Sequence, residues 1–283
     1  MSDPQGMSLS ELAPGVEEIL LAGDGFSARI ALLGGQLIDY RRDGEPPLFY
    51  LSPQSAYQPG KAIRGGVPVC WPWFGPHPSD PGQPAHGVAR QRLWTLREAG
   101  RDGAVFHVEL DGPLHEGLAA SLRFRIGPDG VDIALDTVNR GDAAQTVGAA
   151  LHSYFAVSDL DSVELLGLGG APARDKVADA PTALPDGPFR FDGEVDLIVY
   201  ADRAATLRDA GWTRDIVVRP EGSASTVIWN PAPVKAARLA DLPDGDWRRF
   251  VCVETANAGD DARLLAPGAV HTLACRLRFS RRG

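Results

Sequence analysis

Residues 121–138 constrain the fold more than any other part of the sequence. Leu122, Phe124 and Ile126 alternate with Ser121, Arg123 and Arg125. After Gly127-Pro128-Asp129-Gly130, the residues Val131, Ile133 and Leu135 alternate with Asp132, Ala134 and Asp136. A period of two places one set of side chains on each face of an extended chain. The stretch therefore reads as two half-buried antiparallel strands joined by a turn.

The same signal recurs along the sequence. Residues 26–42 form two apolar runs broken by Gly34-Gly35, as a hairpin or bulge would be, and residues 93–110 hold two more β-rich runs. Near the end Leu273, Cys275, Leu277 and Phe279 alternate with polar neighbours. A further hairpin is predicted with strands at 215–220 and 226–231 around Glu221-Gly222-Ser223-Ala224-Ser225. Helical periodicity is almost absent. Many short strands with Gly/Pro turns imply an all-β sandwich or barrel. No repeat or domain boundary stands out, so residues 1–283 are expected to form a single domain. Residues 1–15 are expected to be a loose polar leader with a short helical turn at 8–12. Residues 167–188, rich in Ala, Pro, Gly and Asp, read equally as a linker or as a loop within one large sandwich.

Residues 61–92 cannot be a long helix or an unbroken strand, because Gly and Pro interrupt them throughout. Trp71, Trp73, Phe74, His77, His86, Arg64 and Arg90 in the same stretch set it apart from a solvated linker. It reads as a rigid loop presenting positive charge beside an apolar wall. Gly65 and Gly66 permit backbone conformations that a Cβ would obstruct. An aromatic plug in the core would account for the Trp and Phe residues alone, but not for the flanking arginines.

Composition narrows the function classes. Apolar residues at 44% and charged residues at 23% fit a soluble globular protein. The net charge of −9 argues against general binding to nucleic acid or to an anionic membrane, so an anionic ligand would need a local cluster of cations. No secretory signal or apolar membrane span is evident. Cys70, Cys252 and Cys275 are odd in number and far apart, which points to a reducing, cytoplasmic setting rather than a disulfide framework.

Two segments outside the loop carry candidate chemistry. In residues 148–157, His152 follows small apolar residues and precedes Tyr154 and Phe155. In 248–257, a strand would place Phe250, Cys252 and Glu254 on one face, with Glu254 in apolar surroundings that strengthen it as a base. Each residue also has a plainer reading. His152 alone is a core histidine, Glu254 a partner for a structural arginine, Asp196 a strand-start residue and Arg64 a surface cation. GxSxG, GxGxxG, GxxxxGK[ST] and HExxH spacings are all missing from the sequence, which speaks against a serine hydrolase, a nucleotide fold and a zincin.

Taken in order, residues 63–75, 85–90, 151–155, 227–231, 241–257 and 266–268 resemble the aldose 1-epimerase superfamily. The resemblance is closest to its hexose-6-phosphate mutarotase (glucose-6-phosphate 1-epimerase) branch. It implies a large antiparallel β-sandwich of the galactose-mutarotase type, a small-molecule sugar phosphate as substrate, no metal or organic cofactor, and a monomer. It further implies Glu254 as general base, His152 as general acid, His86 near the sugar ring oxygen, Asp196 as a sugar ligand, and Arg64 and Arg90 as the grip on the 6-phosphate. Two positions depart from the family pattern. Leu197 follows Asp196 where relatives often carry arginine, and Ala85 precedes His86 where some carry an amide, a role that could fall to Gln83.

The expected reaction is interconversion of the α and β anomers of a hexose 6-phosphate, with Glu254 as carboxylate and His152 as imidazolium. Alternatives are a non-catalytic sugar-phosphate binding protein, an epimerase of unphosphorylated aldoses and a β-sandwich glycoside hydrolase. The last would need a second carboxylate flanking the scissile bond.

Overall fold

The computed structural model describes residues 6–282 and is built almost wholly of antiparallel strands. One large sheet runs Val163–Leu166, Ala205–Asp209, Arg214–Glu221, Val270–Arg281, Gly130–Asn139, Leu118–Gly127, Val105–His115, Thr95–Asp102. A second runs Ala180–Ala183, Pro172–Asp175, Val195–Tyr200, Ser225–Asn230, Phe250–Asn257, Ala149–Leu151, Val69–Cys70, and Tyr154–Ala156 also pairs with Phe250–Asn257. A four-stranded sheet, Met7–Ala13, Val16–Gly23, Phe26–Ala31 and Gln36–Arg42, flanks them.

The inward residues of all three sheets meet in one core. It joins Leu122, Leu135, Ile216 and Leu277 of the first sheet to Val199, Ile228, Val251 and Val253 of the second, with Ile19, Ile30 and Tyr40 from the flanking sheet. Two sheets sharing such a core form a sandwich, each contributing every second side chain. Phe250–Asn257 is buried along its whole length, since one of its faces is in this core and the other is covered by loops.

The hairpin expected from the alternation at 121–138 is present, and Leu118–Gly127 pairs in register with Gly130–Asn139. Three expectations fail. The stretch read as a leader with a helical turn holds the strand Met7–Ala13, paired with Val16–Gly23; residues 1–5 lie outside the described residues. The hairpin expected across 221–225 is a crossing between sheets, for Arg214–Glu221 belongs to the first sheet and Ser225–Asn230 to the second. The link is fastened rather than folded back. Buried Ser223 bonds the carbonyls of Ser225 and Ala256, and Asp261 accepts from Ala224 N at 2.8 Å. Residues 167–188 are also more ordered than a linker or loop, holding the edge hairpin of Pro172–Asp175 with Ala180–Ala183.

Candidate active site

The outer face of the second sheet builds the site through its register. Asp196 lies opposite Trp229, and Trp229 opposite Cys252, which pairs with Tyr154. One row along, Ile198 lies opposite Val227 and Val227 opposite Glu254. Ala149–Leu151 and Tyr154–Ala156 pair with the same strand in one continuous register, interrupted only at His152 and Ser153. His152 therefore falls across from Glu254, as a cross-strand neighbour. The interruption turns the histidine backbone onto the glycine- and proline-rich loop, where its N–H donates to Pro68 O at 2.9 Å.

The resulting cavity, of about 220 Å³, is lined by Arg64, Phe74, His86, Arg90, His152, Tyr154, Lys176, Asp196, Val227, Trp229, Lys235 and Glu254. All six residues singled out from the sequence line it. Lys176, Lys235, Tyr154 and Trp229 were not among them. Leu197, which weakened the case for Asp196, is buried in the main core, so the residue after Asp196 faces away from the cavity. Gln83 is not part of the lining; its amide donates to Asp80 on the exposed part of the loop.

Residues 61–92 close the cavity as the irregular segment expected of them. Gly65 and Gly66 have positive φ, and a Cβ there would come 2.3 Å from Tyr50 O and Leu37 O respectively. The loop's aromatics divide between core and site. Trp71 is fully buried and donates to Thr137 Oγ1 at 3.0 Å, and Trp73 is buried with its indole on Pro84 O. Only Phe74 of the three reaches the cavity, where its ring meets His86 edge-on at 4.8 Å. Trp229 supplies a second aromatic wall, which the apolar run before Asn230 did not distinguish from core.

His152 Nε2 lies 3.3 Å from Glu254 Oε1, an approach that does not reach hydrogen-bond alignment. The imidazole stacks on Tyr154 at 4.9 Å and 10°, and Trp229 meets it edge-on at 6.0 Å. Glu254 is 1% exposed, and neither of its oxygens has a hydrogen-bond partner among the described residues. A buried carboxylate with no partner is costly. Burial, seconded by Asp196, pushes its carboxyl well above the usual range, against the pull of Lys176 and Arg90. Burial, with His86, Arg90 and Arg64, pushes His152 well below its usual value. Burial of the two groups thus favours the neutral pair, with its one proton on Glu254. The expected carboxylate facing an imidazolium does not describe it, because desolvation disfavours both charges.

His86 is held near pKa 3 by burial and by Arg90, Lys176 and Arg64. Its Nδ1 accepts from Gly75 N at 3.3 Å, which leaves Nε2 as the protonated, donating nitrogen.

The cations are set differently from one another. Arg64 donates to Tyr154 Oη at 2.9 Å and to Asp241 Oδ1 at 3.0 Å. Arg90 donates to Ala85 O at 2.9 Å and has no carboxylate partner among the described residues. Asp196 is bracketed by Lys176 at 3.3 Å and Lys235 at 3.6 Å. His152, Cys252 and Glu254 form the one cluster of metal-ligand type among the described residues, and burial raises the thiol and the carboxyl above their usual values.

Comparison with known proteins identifies the family. The family model described as aldose 1-epimerase matches residues 17–278. An Escherichia coli K12 protein described as a "putative glucose-6-phosphate 1-epimerase" is 34% identical over 265 residues, covering 90% of this chain and 87% of that protein. A Salmonella typhimurium protein of the same description is 37% identical, covering 82% and 80%. The crystal structure of a "putative mutarotase" from Salmonella typhimurium superposes with a TM-score of 0.90 at 28% identity, over 100% of this chain and 96% of that one. A galactose mutarotase-like protein from Clostridium acetobutylicum, at 14% identity and a TM-score of 0.72, shares the fold. From the match over residues 17–278 and these relatives, the chain belongs to the aldose 1-epimerase family.

Proposed function

We propose that the protein interconverts the α and β anomers of a hexose 6-phosphate, glucose 6-phosphate first among them. One observation carries this reading: a buried His152–Glu254 pair opens into the same small cavity as Arg64 and as Arg90, which has no carboxylate partner among the described residues. The descriptions borne by the Escherichia coli and Salmonella relatives support the choice of substrate.

A hexose is a cyclic hemiacetal. Opening it removes the proton from the anomeric O1–H, breaks C1–O5 and adds a proton to O5. Glu254 takes the first proton and His152 gives the second, while the Nε2–H of His86 donates to the ring oxygen as charge develops there. Rotation about C1–C2 presents the other face of the aldehyde, and the reverse steps close the ring. Each positioned transfer contributes roughly 10²–10⁴-fold. Phe74 and Trp229 offer faces to the sugar C–H groups, and Asp196 accepts from its hydroxyls.

Arg64 and Arg90 bind the phosphate through charge-assisted hydrogen bonds. Binding has a second effect. These two charges help hold His152 in its neutral form, and a phosphate dianion offsets them. The shared proton then moves toward His152, giving the acid and the base that ring opening needs. A remote anionic group thereby contributes to the chemical step. We read the protein as a single-domain, cytoplasmic monomer, a setting that its three buried, unpaired cysteines suit.

The test is exchange NMR on the anomeric protons of glucose 6-phosphate with wild type, His152→Ala and Glu254→Gln. Acceleration by wild type and loss in both variants supports the assignment. Retained exchange in either variant removes that residue from its role.

A further inference from the structure

Lys176 was not singled out by any pattern in the sequence. It sits at the turn of the edge hairpin between Pro172–Asp175 and Ala180–Ala183, where a solvated lysine would be expected. The structure instead fixes it at both ends. Its backbone N–H donates to Asp196 O at 2.8 Å, and its Nζ lies 3.3 Å from Asp196 Oδ1. The ammonium also stands 5.7 Å from the centre of the Phe74 ring and lines the cavity. A flexible side chain held by its own backbone partner, over an aromatic face, is placed rather than free.

We propose that Lys176 is a positioning residue for the reaction, whose ammonium steadies the negative charge that Glu254 must carry before it can take the anomeric proton. The inference rests on the acid–base reading given above.

The charged and titratable groups facing Glu254 come from every element packed around it. They are His152 and Tyr154 from the interrupted strand, Asp196 from Val195–Tyr200, Lys176 from the edge hairpin, Arg90 from the loop, and the neutral thiols Cys70 and Cys252. Asp196 opposes ionisation of Glu254, and Lys176 and Arg90 favour it. The two cations are held differently. Arg90 donates to a backbone carbonyl, Ala85 O, and its charge also disfavours the imidazolium of His152, whereas Lys176 is paired with Asp196. Its ion pair with Asp196 also blunts the one carboxylate that opposes Glu254.

The test is the pH profile of kcat for anomer exchange on glucose 6-phosphate by wild type, Lys176→Met and Lys176→Arg. A cation facing a buried carboxyl favours its charged form and so lowers its pKa. Lys176→Met is expected to lose about 10-fold or more in kcat and to move the alkaline limb to higher pH, because Glu254 then holds its proton more tightly. Lys176→Arg, which keeps the charge, is expected to restore most of both. A loss of kcat with no movement of the limb, or no change at all in Lys176→Met, overturns the inference. An inactive wild type overturns instead the reading on which it rests.

Discussion

Replacing Glu254 by glutamine is expected to abolish activity and, at neutral and alkaline pH, to stabilise the protein. In the unfolded chain Glu254 ionises near its ordinary 4.5; in the folded protein burial and Asp196 hold the carboxyl protonated to well above that. A group whose folded value is raised contributes stability that is complete below its unfolded value and is lost as the pH climbs toward the folded one. Across that window each pH unit costs about 1.4 kcal/mol. The amide avoids this cost. It brings a fixed one of about 1–3 kcal/mol for burying an amide where neither carboxyl oxygen has a hydrogen-bond partner among the described residues. The assay is urea unfolding of both proteins from about pH 5 to about pH 8, with midpoints converted through a common slope. His152 is present in both proteins, so its own titration largely cancels. The stability difference should move in favour of Glu254→Gln by about 1.4 kcal/mol per pH unit and flatten once the folded carboxyl ionises. A difference independent of pH would show that Glu254 ionises normally when buried, and the neutral His152–Glu254 pair would be wrong.

Three further expectations concern the pocket. The pair carries one proton between the depressed value of His152 and the raised value of Glu254, so kcat should form a plateau over that interval. Below it a second proton leaves no base, and above it loss of the shared proton leaves no acid; an acid limb at or above pH 6.5 would contradict the depression of His152. Arg90→Leu removes charge-assisted hydrogen bonds worth about 1.5–3 kcal/mol, so kcat/KM on glucose 6-phosphate should fall roughly 10- to 100-fold, with a smaller loss on glucose. Equal losses on the two sugars would remove Arg90 from the phosphate site. Gly87→Ala, at φ +77 with its Cβ 2.0 Å from Trp71 O, should cost at least about 1–3 kcal/mol in urea unfolding. It should also lower activity by displacing His86; unchanged unfolding would mean the loop accommodates a side chain there.

The parts of the fold that could be read from the sequence were those fixed by local alternation. Residues 121–138 carry their own turn and a clean period of two, so both strands and their pairing followed. The alternation at 215–220 and 226–231 is equally clean but says nothing about which sheet each strand joins. That choice is made by Ser223, Asp261 and Ala256, which lie apart in sequence. Met7–Ala13 is only half-buried at a sheet edge and so lacks the apolar signature of a strand.

The site was legible where an unusual residue sat in an informative place. Glu254 on an apolar strand face and His152 among small residues stand out, and the register explains why they meet. Lys176, Lys235 and Trp229 were missed because their types are ordinary for a turn, a short helix and a buried strand. A lysine becomes part of a site only through what lies across from it, here Asp196. The charge state of the His152–Glu254 pair was likewise invisible, because it follows from burial depth rather than residue type.

The measurement that bears most directly on the proposed function is anomer exchange by wild type on glucose 6-phosphate and on glucose, both at saturating concentration. Exchange should be fast on the phosphate, with a much lower kcat on glucose, since the phosphate both anchors the sugar and helps move the shared proton to His152. Equal kcat on the two sugars would contradict the role given to Arg64 and Arg90, and no acceleration of either would contradict the catalytic assignment of His152 and Glu254.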